Sequence, residues 1–76
     1  MDKAEYQVKL DQLKALVADQ DYDGALDVVK GIDWRRVKNI RTLCMVADVY
    51  EANDMLEDSR RILLLALKRA SIGKSI

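Results

Sequence analysis

The stretch LCMVADVYEANDMLEDSRRILLLA, residues 43–66, decides how this chain folds. Its apolar residues recur at helical spacing. Leu43, Val46, Ala47 and Tyr50 fall on one stripe, and Ser59, Leu63 and Ala66 on another. Between the stripes, Asn53-Asp54 breaks the pattern with two residue types that favour turns. The chain contains no proline, so no ring removes a helix hydrogen bond. Ala47 and Ser59 are small enough for two backbones to approach closely. The stretch predicts a helix, a tight turn and a second helix folded back on the first.

Working outward, the same logic predicts two more helices and extends the first two. Lys3 to Ala18 carries Tyr6, Leu10, Leu13, Leu16 and Val17 on one side, and Lys9, Asp11, Gln12 and Lys14 on the other. Asp2 is placed to cap it, with Glu5 three residues on. Asp19-Gln20-Asp21 interrupts the pattern, and Asp21 can cap a second helix from Tyr22 to about Lys30. Its apolar positions are Tyr22, Ala25, Leu26, Val28 and Val29. Gly24, in its interior, predicts close contact with the first helix, and Gly31 a left-handed C-terminus. Asp33 is expected to start a third and longest helix, Trp34 to Ala52, with Val37 and Ile40 prolonging the stripe of Leu43. The fourth is expected over Met55 to Arg69, with Leu56, Ser59, Ile62, Leu63 and Ala66 inward and residues 70–76 as a tail. Connections this short make neighbouring helices antiparallel.

Composition narrows the function classes. Seventy-six residues make one small domain with a marginal core. Thirteen basic residues balance thirteen acidic ones, so bulk attraction to nucleic acid or an anionic membrane is not indicated. The longest apolar run, Ile62 to Leu67, is far shorter than the roughly 20 residues of a membrane span. The charged N-terminus, Met1 to Leu10, does not read as a signal peptide. One cysteine forms no internal disulfide, and a cytoplasmic protein is the default expectation.

The absence of histidine removes Ser-His-Asp and Cys-His catalysis, so no catalytic residues and no enzyme are expected. One cysteine without histidine gives no zinc set. Asp19, Asp21 and Asp23 alternate like part of a calcium loop, but no Glu completes it, and they read as caps. No phosphate-binding glycine loop is present, and no cofactor or metal is expected. Cys44 reads as a small apolar residue at a helix interface.

Displaced by thirty-four residues, the chain matches itself without a gap. Leu13 falls on Ala47, Leu16 on Tyr50, Tyr22 on Leu56, Ala25 on Ser59, Val29 on Leu63 and Ile32 on Ala66. The turn residue Gln20 falls on Asp54. A helix-turn-helix unit of that period is the mark of tetratricopeptide repeats. Residues 43–50, Ser59 to Leu63 with Ala66, and Asp21 to Leu26 each resemble that family, and the resemblance covers about 6–71. It implies an all-α chain of two antiparallel helical hairpins, repeat one about 6–39 and repeat two about 40–73, stacked as a superhelix fragment in one domain, 1–76. The first copy departs from the pattern at Lys9, Gln12 and Leu13, Ser71 stands where a proline is usual, and Gly31 with 33–39 shifts a helix boundary. A plain four-helix bundle with an accidental period is the competing reading.

The resemblance further implies a scaffold that binds a peptide or protein along the first helix of each pair. It places Gln7, Leu10, Lys14, Arg41, Cys44, Met45, Asp48 and Glu51 in the groove. Members that hold a terminal carboxylate use a Lys, Asn and Arg set that Leu10, Lys14, Cys44 and Met45 do not reproduce. One antiparallel neighbour cannot cover the Ile62–Leu67 run, so Leu64, Leu65 or Leu67 is expected to meet a further repeat or a second copy of the chain. The competing functional class is a small helical nucleic-acid-binding or regulatory domain. It would use the basic cluster of Trp34, Arg35, Arg36 and Lys38, touching phosphates and stacking on a base. The neutral net charge does not favour nucleic acid.

Overall fold

A computed structural model describes the backbone of residues 2–74 and the side chains of 2–70. The protein is all-α. Among the described residues four α-helices follow in order: α1 Lys3–Ala18, α2 Tyr22–Lys30, α3 Ile40–Ala52 and α4 Leu56–Lys74. A 3-10 turn, Trp34–Arg36, stands between α2 and α3. The chain divides into two compact units between Ile32 and Asp33. That boundary lies ahead of the one expected at 39–40.

In the first unit, α1 packs on α2. Asp2 caps α1, accepting a hydrogen bond from the Glu5 amide at 2.8 Å. Leu10 and Leu13 are buried on α1, and Ala25 and Val29 on α2. Tyr6, Leu16 and Val17 are half-buried at the margin.

In the second unit, α3 packs on α4. Leu43, Val46, Ala47 and Val49 are buried on α3, joined by Thr42. Ser59, Ile62 and Ala66 are buried on α4. Burial raises the phenol of Tyr50 above 10.0, and the nearby Asp58 carboxylate adds to the shift. Tyr6 is raised by burial alone.

Both hairpins close through the same turn. Gln20 and Asp54, thirty-four residues apart, each adopt a φ of 60°. In the first, the Gln20 amide donates to the Val17 carbonyl at 3.0 Å and the Asp21 amide to Leu16 at 2.8 Å. In the second, the Asp54 amide donates to Glu51 at 3.0 Å and the Met55 amide to Tyr50 at 2.9 Å. Each turn satisfies the last carbonyls of one helix and reverses the chain into the next. The left-handed conformation, expected at Gly31, falls instead on these two non-glycine residues. Gly31 ends α2 with φ −86°.

The third helix starts later than Asp33 suggests. The Asp33 carboxylate accepts from the Arg35 amide at 3.1 Å and from the Arg35 Nε at 3.0 Å, which holds one tight turn. Arg69 of α4 donates from Nη2 to the Arg35 carbonyl at 2.7 Å. In a continuous helix that carbonyl would accept from Asn39. Asn39 is instead extended and caps α3, accepting from Arg41 at 3.0 Å and Thr42 at 3.3 Å. The longest helix is therefore α4, which runs through much of the stretch read as a tail. Residues 75–76 lie outside those described.

Gly24 has a different reason from the one its sequence suggests. A Cβ there would stand 2.8 Å from Oδ2 of Asp21, the residue whose Oδ1 accepts from the Gly24 amide at 3.1 Å. The close neighbour is the helix's own cap, not α1. Gly24→Ala should therefore be near neutral, since about 1 kcal/mol of helix propensity is offset by a displaced cap. After Asp21→Ala, the same substitution should stabilise by about 1 kcal/mol. A double-mutant cycle by urea unfolding checks this, and equal effects in both backgrounds would contradict it.

Candidate interaction surface

The face of α3 turned away from the core is the richest in exposed functional groups among those foreseen. Arg41, Cys44, Asp48 and Glu51 are exposed along it, with Met45 half-buried at its edge. The spacing 41, 44, 45, 48 is that of neighbouring residues on one side of a helix. Asn39 positions this face, because its cap fixes where α3 begins and hence how the helix is phased.

The charges on this face oppose the helix dipole. Arg41 sits in the first turn, where unpaired amides leave partial positive charge, and Glu51 in the last, where carbonyls leave negative charge. Reversing either should help the helix. No ion pair involving Arg41, Asp48 or Glu51 occurs among the described residues.

On α1 the matching positions are Gln7, Leu10 and Lys14. Gln7 and Lys14 are exposed, and the Gln7 amide donates to Asp11 at 3.0 Å. Leu10 is 7% exposed and belongs to the core, so it does not line a groove. Its counterpart Cys44 is exposed, not packed at an interface. A leucine on the boundary of an apolar stripe is drawn inward, whereas a small thiol there forfeits little by staying outside.

The basic cluster is reorganised by the 3-10 turn. Trp34 is 4% exposed, which removes it as a stacking platform. Arg35 is gripped by Asp33, with Nη2 to Oδ2 at 3.2 Å completing a bidentate pair. The hydrogen bonds from Arg35 hold the Asp33 carboxyl below its usual 3.8. Arg36 and Lys38 remain exposed. The charge that compensates Arg35 comes from Asp33, only two residues before it.

A pH dependence follows. Because folding lowers the Asp33 pKa, the pair stabilises above the unfolded value near 3.8 and is lost as pH falls through the lower, folded value. The stability gap between wild type and Asp33→Asn should narrow as pH drops below about 3.8, read from thermal melts. A gap constant down to pH 2 would contradict it.

On α4 the inner face is narrower than its pattern. Leu56 and Leu63, expected inward, are 63% and 47% exposed. Leu64 and Leu67 are exposed as foreseen, and Leu65 is half-buried. Among the described residues no group of three or more His, Cys, Asp or Glu stands where a metal ion could be held. None of their helices is long and apolar enough to cross a membrane. Compared with family models, curated proteins and solved structures, the chain finds no match in any of the three.

Proposed function

We propose that this chain is a non-enzymatic interaction module, similar in build to a pair of tetratricopeptide repeats, which receives a peptide or protein on the exposed face of α3. The observation that carries the reading is the repeated turn: two hairpins closed by the same hydrogen bonds and the same left-handed residue, thirty-four positions apart. That period belongs to helical repeats whose purpose is to display a surface. The charges of Arg41 and Glu51 add support, since they stand where helix stability alone would place the opposite sign. A ligand carrying an acidic group near Arg41 and a basic one near Asp48 and Glu51 would be complementary. The nucleic-acid alternative is less well supported, because Trp34 is buried and Arg35 already has its carboxylate.

The test is to select peptides by display against the immobilised chain and map the winners by amide chemical-shift changes. Changes centred on Arg41 to Glu51 are expected. Changes centred on Arg36 and Lys38, or binding unaffected by Arg41→Glu with Glu51→Lys, would sink the proposal. The same two substitutions should each raise stability by about 0.3–1 kcal/mol. Weaker binding together with a more stable fold separates function from damage, and calorimetry with urea unfolding reads both.

A further inference from the structure

The geometry points to α4 as a self-association surface, on which two copies of this chain pair antiparallel through Leu56, Leu63 and Leu67. These leucines recur seven and four residues apart, so they form one stripe along the helix, widened by Leu64. All four are 47–63% exposed, although α4 already buries Ser59, Ile62 and Ala66 on another side. Exposed Arg60 stands among these leucines in projection, so the face is four leucines around one arginine, whose aliphatic stem extends the apolar surface while its charge stays in water.

Charge identifies the occupant as a second copy and sets its direction. Glu57 and Lys68 lie side by side in projection, eleven residues apart, on the same flank of the leucine stripe. Neither takes part in an ion pair among the described residues, whereas nearby Arg61 reaches Asp58 at 3.9 Å. When two helices pair antiparallel, like flanks meet. Glu57 of each copy then faces Lys68 of the other, twice over.

The same register places Leu56 opposite Leu67 and Leu63 opposite its own counterpart. The midpoints of all three pairings fall between Arg61 and Leu63, so one crossing point satisfies them together. A parallel pair would turn the Glu57 and Lys68 flank toward the uncharged side bearing Ser59. Antiparallel pairing also sets the two helix dipoles head to tail.

The stripe is short, so the association is weak, with a dissociation constant on the order of tens of micromolar. Sedimentation equilibrium from about 5 µM to about 1 mM should show reversible dimers. Leu63→Glu with Leu67→Glu should leave monomers at every concentration. Both side chains are exposed, so helical circular dichroism should be retained.

Glu57→Lys or Lys68→Glu alone should weaken the dimer about 5- to 20-fold, because each breaks two exposed pairs and creates two repulsions. The combined charge swap should restore it. A chain that stays monomeric throughout would overturn the proposal. So would a dimer insensitive to Leu63 and Leu67, or single charge changes without rescue in the swap, which would mean a different register or a parallel pair.

Discussion

Leu43→Ala is expected to lower the unfolding free energy of the second unit by about 3–5 kcal/mol. Leu43 is 0% exposed and among the largest fully buried side chains, flanked on α3 by buried Val46 and Ala47. Truncation removes its transfer free energy and leaves a cavity that helices tied by a tight turn close poorly. A chain of this length holds only about 4–11 kcal/mol in total, so the loss is a large share. The single tryptophan, Trp34, lies buried in the same unit, and its fluorescence in urea reads the loss there. Val8→Ala, at a site 58% exposed, should change stability by less than about 0.5 kcal/mol. A Leu43→Ala effect under about 1.5 kcal/mol would mean that α3 does not bury this residue as described.

The second large effect runs the other way. Gln20→Gly and Asp54→Gly should each stabilise by about 1 kcal/mol. A side chain at φ 60° costs roughly 1–2 kcal/mol, from which the greater freedom of glycine in the unfolded chain subtracts part. The two sites lie in separate turns, so the gains should add to about 2 kcal/mol. For a domain this small, that raises the melting temperature by about 8–16 °C. Valine at either position should destabilise, because a β-branched residue tolerates the left-handed region poorly. Calorimetry on the four variants checks the pattern. A glycine that brings no gain would show that the side chain it replaced stabilises the turn by other means.

The two turns also show why the sequence was informative there. Gln20 and Asp54 carry no glycine signal, yet the loss of apolar periodicity located the turns to Asp19-Gln20-Asp21 and Asn53-Asp54. The self-match at thirty-four positions then aligned them. Caps were equally legible, since Asp2 and Asp21 need only a neighbouring amide three residues on. Turn and cap depend on groups a few positions apart, and the sequence displays such groups directly.

The functional surface was only partly legible. The exposed positions Arg41, Asp48 and Glu51 on α3 were named through the resemblance to the repeat family, and they stay in water as polar residues opposite an apolar stripe do. Leu10 was assigned to the same surface and is buried. Leu56 and Leu63 were assigned to the core and are exposed. Periodicity gives the direction of an apolar stripe, but the width that a neighbour covers depends on where the neighbour sits.

What the sequence determined by itself was the number of long helices, their pairing by short turns, and the caps of α1 and α2. Only the tertiary structure decided where α3 begins. Asp33, Trp34 and the following residues have all the local signs of a helix start. Arg69, far along the chain, takes the Arg35 carbonyl, while Asp33 holds the Arg35 guanidinium. The start passes to Asn39, and the phase of the α3 surface is set from there. A hydrogen bond between residues so distant in sequence has no local signal, and it outweighs the propensity of the residues between.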